Sequence, residues 1–341
     1  MMGISQENYT TKPCANHLTK GRDRMQDMSA LHRGLAIISS CKKETGDIWH
    51  AHFGAAGIAG YLLLKENDLP VETSRAITEQ LQAMLLKHAL SERMESTVHL
   101  EVDEAEKRIT SALEINIDQL HWVGHNAIYT ALSLSAIREL RGWGSEADIE
   151  GIYELIRAFD RTIPGRSWLG CTAGDVKRFV IEPGEMPVIE YPEQLSAFVL
   201  EELAAFRVIY RAEAHHDLIG HMLTFSHALC LLHDLGYSAL FRRGLTPLLQ
   251  LVKALRRSQN LHPESASELR LVSPVDRLPL VQAEPSPWLP LEQEFWERDH
   301  SLHDWDFGHQ FKFTCSYYYH LRRVPRLHEA TIDRFRCIIN F

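Results

Sequence analysis

Gly124-His125-Asn126-Ala127-Ile128-Tyr129-Thr130 is echoed twice further along the chain. The echoes are Gly220-His221-Met222-Leu223-Thr224-Phe225-Ser226 and Gly308-His309-Gln310-Phe311-Lys312-Phe313-Thr314. Each copy reads Gly-His, three residues, an aromatic and a hydroxyl, and each opens an apolar stretch of helical length. His52-Phe53-Gly54-Ala55-Ala56-Gly57 keeps the histidine and the small-residue helix but lacks the aromatic-hydroxyl pair, as a degenerate fourth copy would. Self-similarity at long period points to a repeat architecture. It also sets one imidazole at the start of each of several related helices.

Helical periodicity governs the rest of the chain. It predicts helices over Ile48–Leu64, from Pro70 to about Leu90, and over Ile117–Leu140. Further helices are expected over Glu146–Phe159 with Ser145 as N-cap, Glu193–Ala214, Leu218–Leu235, Pro247–Arg257 and Asp306–Leu321. Val176–Val188 has room for one short hairpin. The segment from His262 to Pro290 carries Pro263, Pro274, Pro279, Pro285, Pro287 and Pro290 and reads as an extended crossing. Helices led by the phrase are apolar nearly all round, whereas Ser74–Leu90, Glu146–Phe159 and Leu248–Arg257 keep one polar face. The first kind belongs inside and the second outside. The expected fold is therefore all-α: a toroid-like α/α single domain over residues 29–341, with inner apolar and outer amphipathic helices. Residues 1–28, polar and without an apolar core, read as a flexible leader.

Charge and cysteine usage narrow the partners. A net charge of −9 argues against nucleic acid and anionic membranes. No run of apolar residues is long enough to span a bilayer. The six cysteines are scattered without a CxxC pair, which points to a reducing, cytoplasmic setting. No GxGxxG, Walker loop, HExxH or GxSxG is present. The partner left is a small-molecule substrate.

The 19 histidines are the unusual count, because a buried imidazole needs a hydrogen-bond partner or a chemical role. His52, His125, His221 and His309 form the leading set. A neutral histidine can act as a base or ligate a metal, and Asp217, four residues before His221, adds a carboxylate. This inventory suits iron or zinc. The competing reading makes Gly-His a packing device at helix ends. Tyr129, Phe225 and Phe313 read first as core residues and second, with Trp305, as substrate-binding aromatics. Leu231-Leu232-His233-Asp234-Leu235-Gly236 resembles the central motif of HD-domain phosphohydrolases, but no histidine stands in the upstream position that family requires. His50-Ala51-His52 resembles the amidohydrolase HxH, which there ends a strand and here opens a helix.

The stretch His227-Ala228-Leu229-Cys230-Leu231-Leu232-His233-Asp234-Leu235-Gly236-Tyr237, followed by Thr246-Pro247-Leu248-Leu249, resembles questin oxidase-like proteins. Asp306-Phe307-Gly308-His309 through Thr314-Cys315-Ser316 is similar to the last helix of that family, and His52 with the helix after Leu69-Pro70 to its N-terminal pair. The likeness covers about a third of the chain in short pieces. It implies an all-helical oxidoreductase that inserts oxygen into a polycyclic aromatic ketone; the sequence leaves the redox cofactor open, with a nicotinamide as reductant one candidate. Three functions follow as expectations: an oxygenase-like oxidoreductase acting on a small aromatic or polyketide-like metabolite, a metal-dependent His/Asp hydrolase, and a non-catalytic helical binder or scaffold.

Overall fold

The computed structural model describes residues 28–90, 99–262, 270–302 and 304–340, and the side chains of all these except 304 and 305. The expected leader lies outside the described residues apart from Met28, as does part of the Pro-rich crossing.

The fold is all-α. The phrase helices are α2 (Ala51–Glu66), α5 (His125–Leu140), α9 (Leu218–Asp234) and α12 (Asp304–Arg323). In α2 every residue from Ala51 to Leu63 is buried, and in α9 every residue from Leu218 to Leu232. Helices buried on all sides must be surrounded by protein, and these four pack on one another in the cyclic order α2–α5–α9–α12–α2. Around them lie α1 (Ser29–Thr45), α3 (Val71–Lys87), α4 (Val102–Glu114), α6 (Glu146–Arg157), α8 (Pro192–Ala204), α10 (Ser238–Arg256) and α13 (His328–Ile338), with the short α7 (Ala173–Lys177) and α11 (Gln293–Trp296) between them. This inner cycle of four helices is what the packing supports of the expected toroid.

Local signals set several boundaries. Ser145 starts α6 through a capping box with Asp148, as expected. Pro247 does not start its helix. α10 begins at Ser238 and runs through the proline, because Leu240, Phe241, Leu248 and Leu251 on one face are fully buried. Burial of each is worth roughly 1.5–3 kcal/mol, enough to offset the ~3 kcal/mol cost of an internal proline. Residues 193–214 are not one helix. α8 stops at Ala204, and the next segment pairs its backbone with the Pro-rich crossing: Arg211 N–H donates to the Val281 carbonyl and Ala283 N–H to that of Ile209. Residues 176–188 form no hairpin. The sheet consists of β1 (Trp168–Leu169) antiparallel to β2 (Leu271–Val272), a long-range pairing that local alternation cannot reveal.

The phrase glycines have a common packing reason. A Cβ on Gly124 would overlap the Phe225 ring, one on Gly220 the Phe313 ring, and one on Gly308 the His52 imidazole. Each phrase thus gives up a side chain to admit a ring from the adjoining inner helix. Gly124 also has φ +94°, left-handed backbone that suits glycine.

Candidate metal centre beneath an indole-walled cavity

The four phrase histidines converge. Ring centroids are 4.5 Å apart for His52–His309, 5.1 Å for His309–His221, 4.8 Å for His221–His125 and 6.5 Å for His125–His52. All four are buried. Two do not stand at helix starts as expected. His309 is the sixth residue of α12, and His221 follows a π-helical turn, Glu213–Asp217, that runs into α9. Both helices extend toward the N-terminus past the phrase, so the imidazoles project from helix interiors.

Hydrogen bonds decide which ring nitrogens carry protons. His125 Nδ1 is 2.6 Å from the Trp122 carbonyl oxygen, and His221 Nδ1 is 2.8 Å from that of Asp217. A carbonyl only accepts, so both Nδ1 atoms carry hydrogen, and a neutral ring with that tautomer presents its lone pair at Nε2. Those two Nε2 atoms are buried and make no hydrogen bond within the protein. A histidine fixed at Nδ1 by a carbonyl with Nε2 open is the arrangement metal-ligating histidines adopt. Asp217 Oδ1 lies 3.4 Å from His309 Nε2 and 3.4 Å from His221 Nδ1. Asp217, His221 and His309 each offer one donor atom within 4.8 Å of the others. Donors bound about 2.1 Å from one ion lie roughly 3–4 Å apart, so the three would have to draw together, with His221 offering Nε2 because its Nδ1 carries hydrogen.

Burial disfavours the charged form of His52, His125 and His309 near the Asp217 carboxylate. Burial alone would raise the Asp217 carboxyl, but His221 and His309 overcome it and hold the group well below the ordinary carboxylate range. Burial lowers His309 to about 4 against the pull of Asp217. Burial, then the charge of Lys312, pushes His52 well below its ordinary value, and burial, then His221, does the same to His125. Lys312 is itself buried, with Nζ 2.7 Å from His52 Nδ1, and burial brings it to about 7.

Acid should therefore destabilise the fold. His309 at about 4, and His215 and His320 at about 3, lie below the ordinary histidine value of 6.5 because burial opposes their charging. The unfolded chain then binds protons before the native state does. Their contribution is complete above pH 6.5 and is lost as pH falls toward 3. Urea midpoints should drop steeply from pH 6.5 to pH 4; a flat profile across that window would contradict neutral burial of these rings.

A cavity of about 270 Å³ opens on this cluster, with His125, His221 and Asp217 among its lining residues. Trp49 and Trp122, whose indoles meet edge to face at 4.5 Å, form an aromatic wall. Trp122 and Val123 have φ +40° and +52°, rare for such side chains, and are held there by N–H donation to the carbonyls of Ile163 and Pro164. That strained turn aims the Trp122 carbonyl at His125 and its indole into the cavity, as strained backbone at functional sites often does.

Other expected residues are placed elsewhere. Tyr129, Phe225 and Phe313 are buried and do not line this cavity. Phe225 and Phe313 fill the spaces over Gly124 and Gly220, Phe313 stacks on His309 at 4.6 Å, and Tyr129 packs on Phe159. The side chain of Trp305 lies outside the described residues. The hydroxyls of Thr130 and Ser226 bond back to the preceding turn, as short hydroxyl side chains in helices do. Asp234 receives Tyr319 Oη and Arg323 at the far end of α9, so the HD-like pair takes no part in the cluster. His50 turns away, its Nε2 2.8 Å from the His88 carbonyl. Sequence pattern does not mark Trp49 or Trp122, and the one signal for Lys312 is a lysine placed between Phe311 and Phe313.

Comparison with protein-family models, curated proteins and solved structures yields no match. The fold and site alone define the class: an all-α protein with a buried His/Asp cluster on a cavity and, among the described residues, no helix long and apolar enough to cross a membrane.

Proposed function

We propose that the protein is a metal-dependent oxidoreductase, oxygenase-like, acting on a small aromatic or polyketide-like metabolite. The observation that carries this reading is the pair of buried Nε2 atoms on His125 and His221 that make no hydrogen bond, beside His309, His52 and the Asp217 carboxylate. Histidines with one carboxylate and an open side suit non-haem iron. The Trp49–Trp122 wall supports a flat aromatic substrate, which indole faces and edges bind well. The resemblance to questin oxidase-like proteins agrees with this chemistry.

In this reading bound iron would supply the redox chemistry, with dioxygen as oxidant and a nicotinamide cofactor as the source of electrons. The chain's own residues do the rest. The Trp122 and Asp217 carbonyls hold two imidazoles with Nε2 inward, Asp217 contributes negative charge, and the indoles orient the substrate. The same donors would also suit zinc and a hydrolytic reaction, the runner-up.

Elemental analysis of protein prepared without chelator or affinity tag tests the proposal. Near-stoichiometric iron is expected. Zinc would favour hydrolysis, and an active, metal-free preparation would overturn both.

A further inference from the structure

The π-helical turn Glu213–Asp217 carries Asp217 into the cluster, and the π conformation is rare and found mostly as single turns at functional sites. Such a turn needs partners outside itself. Asp276, distant in sequence, supplies them: its two carboxylate oxygens accept from Glu213 N–H at 2.8 Å and Ala214 N–H at 2.9 Å. His215 and His216 stitch the same turn to the chain before it, their Nδ1 atoms accepting from Tyr210 N–H and Ala212 N–H, both at 3.0 Å.

The Glu213 side chain is clasped as well. Arg166 donates to it from Nε at 2.8 Å and from Nη2 at 2.7 Å, a two-pronged pair, and Ser167 Oγ adds a third bond at 3.1 Å. Ser273 Oγ closes the network, 2.9 Å from Ser167 Oγ and donating to Asp276 Oδ2 at 3.0 Å. Three segments far apart in sequence are tied together beside the cavity, and Arg166, Ser167 and Glu213 also line it.

We propose that Asp276 and the Arg166–Glu213 pair are positioning residues for the metal centre, holding the π turn so that the Asp217 carboxylate and carbonyl face His221 and His309. This rests on the metal reading above. None of the three is among the cluster's donors, so they act through Asp217. Outer partners of this kind typically change metal affinity by roughly 10–100-fold.

The test uses Co²⁺ alone as probe, titrated into metal-depleted full-length protein and followed by its visible absorption. Asp276→Asn removes the charge that caps the turn, and Glu213→Gln removes the charge and one of the two acceptor oxygens of the Arg166 clasp. Both sites are partly solvent-exposed, and unchanged far-UV circular dichroism of the metal-free variants verifies folding. The expected result is Co²⁺ binding weakened roughly 10-fold or more in both variants, with an altered absorption envelope. Wild-type affinity and spectrum in the folded variants would overturn the positioning role. Failure of the wild-type protein to bind Co²⁺ would instead overturn the metal reading.

Discussion

His221→Ala is expected to abolish metal retention and to lower turnover by about 10²-fold or more, while the protein still folds. The substitution removes an open Nε2 and the ring that faces Asp217 at 3.4 Å. It leaves a carboxylate with one fewer polar neighbour and opens a small gap between α5 and α9. Such losses typically cost about 1–3 kcal/mol, less than the stability of an ordinary domain. Thermal melts and metal content, measured side by side, separate the two roles of the histidine. A variant that melts early yet retains metal and binds ligand normally would make His221 a packing residue. His125→Ala provides the parallel case, since its Nε2 is equally open and its Nδ1 is held by the strained Trp122 turn.

Gly124→Ala should have the largest effect on stability. Alanine usually stabilises a helix relative to glycine by about 1 kcal/mol. Here the sign reverses. Left-handed backbone costs a residue with a Cβ about 1–2 kcal/mol, and overpacking against the Phe225 ring adds about 1–3 kcal/mol. A loss of about 2–5 kcal/mol in urea unfolding is expected from the two together. Gly46→Ala is the internal control: it has φ +74° but nothing within 4 Å of an added Cβ, so only the backbone cost applies. Equal losses at the two sites would show that the fit between Gly124 and Phe225 contributes nothing. Gly220→Ala, where the backbone is helical and only the Phe313 overlap operates, should cost less than Gly124→Ala.

These two expectations bear on the two readings of the repeated phrase, which turn out to be compatible. Its glycine is a packing device, making room for Phe225, Phe313 or His52 from a neighbouring inner helix. The close approach that results brings the histidines within 4.5–5.1 Å of one another along three sides of the cluster. One short motif thus serves both the core and the site.

Period and composition were sufficient to determine the helical class, the inner or outer place of the strongest helices, and the four histidines most worth watching. An all-apolar helix has nowhere to go but the interior, and a histidine inside it must meet other polar groups there. The aromatic wall was decided by tertiary structure. Trp49 and Trp122 sit outside the phrase, in short connections: bonds to Ile163 and Pro164 set the backbone at Trp122 and Val123, and the Asp47 carboxylate accepts from the Trp49 N–H. The same holds for the π turn, whose Glu213 and Ala214 N–H groups donate to Asp276 in the Pro-rich crossing, and for the segment after α8, whose backbone pairs with that crossing. Local periodicity reports which face of a segment is apolar. Partners that are far away in sequence and bond through backbone groups leave no such pattern, so only the folded chain fixes where those segments turn and which side chains they deliver to the cavity.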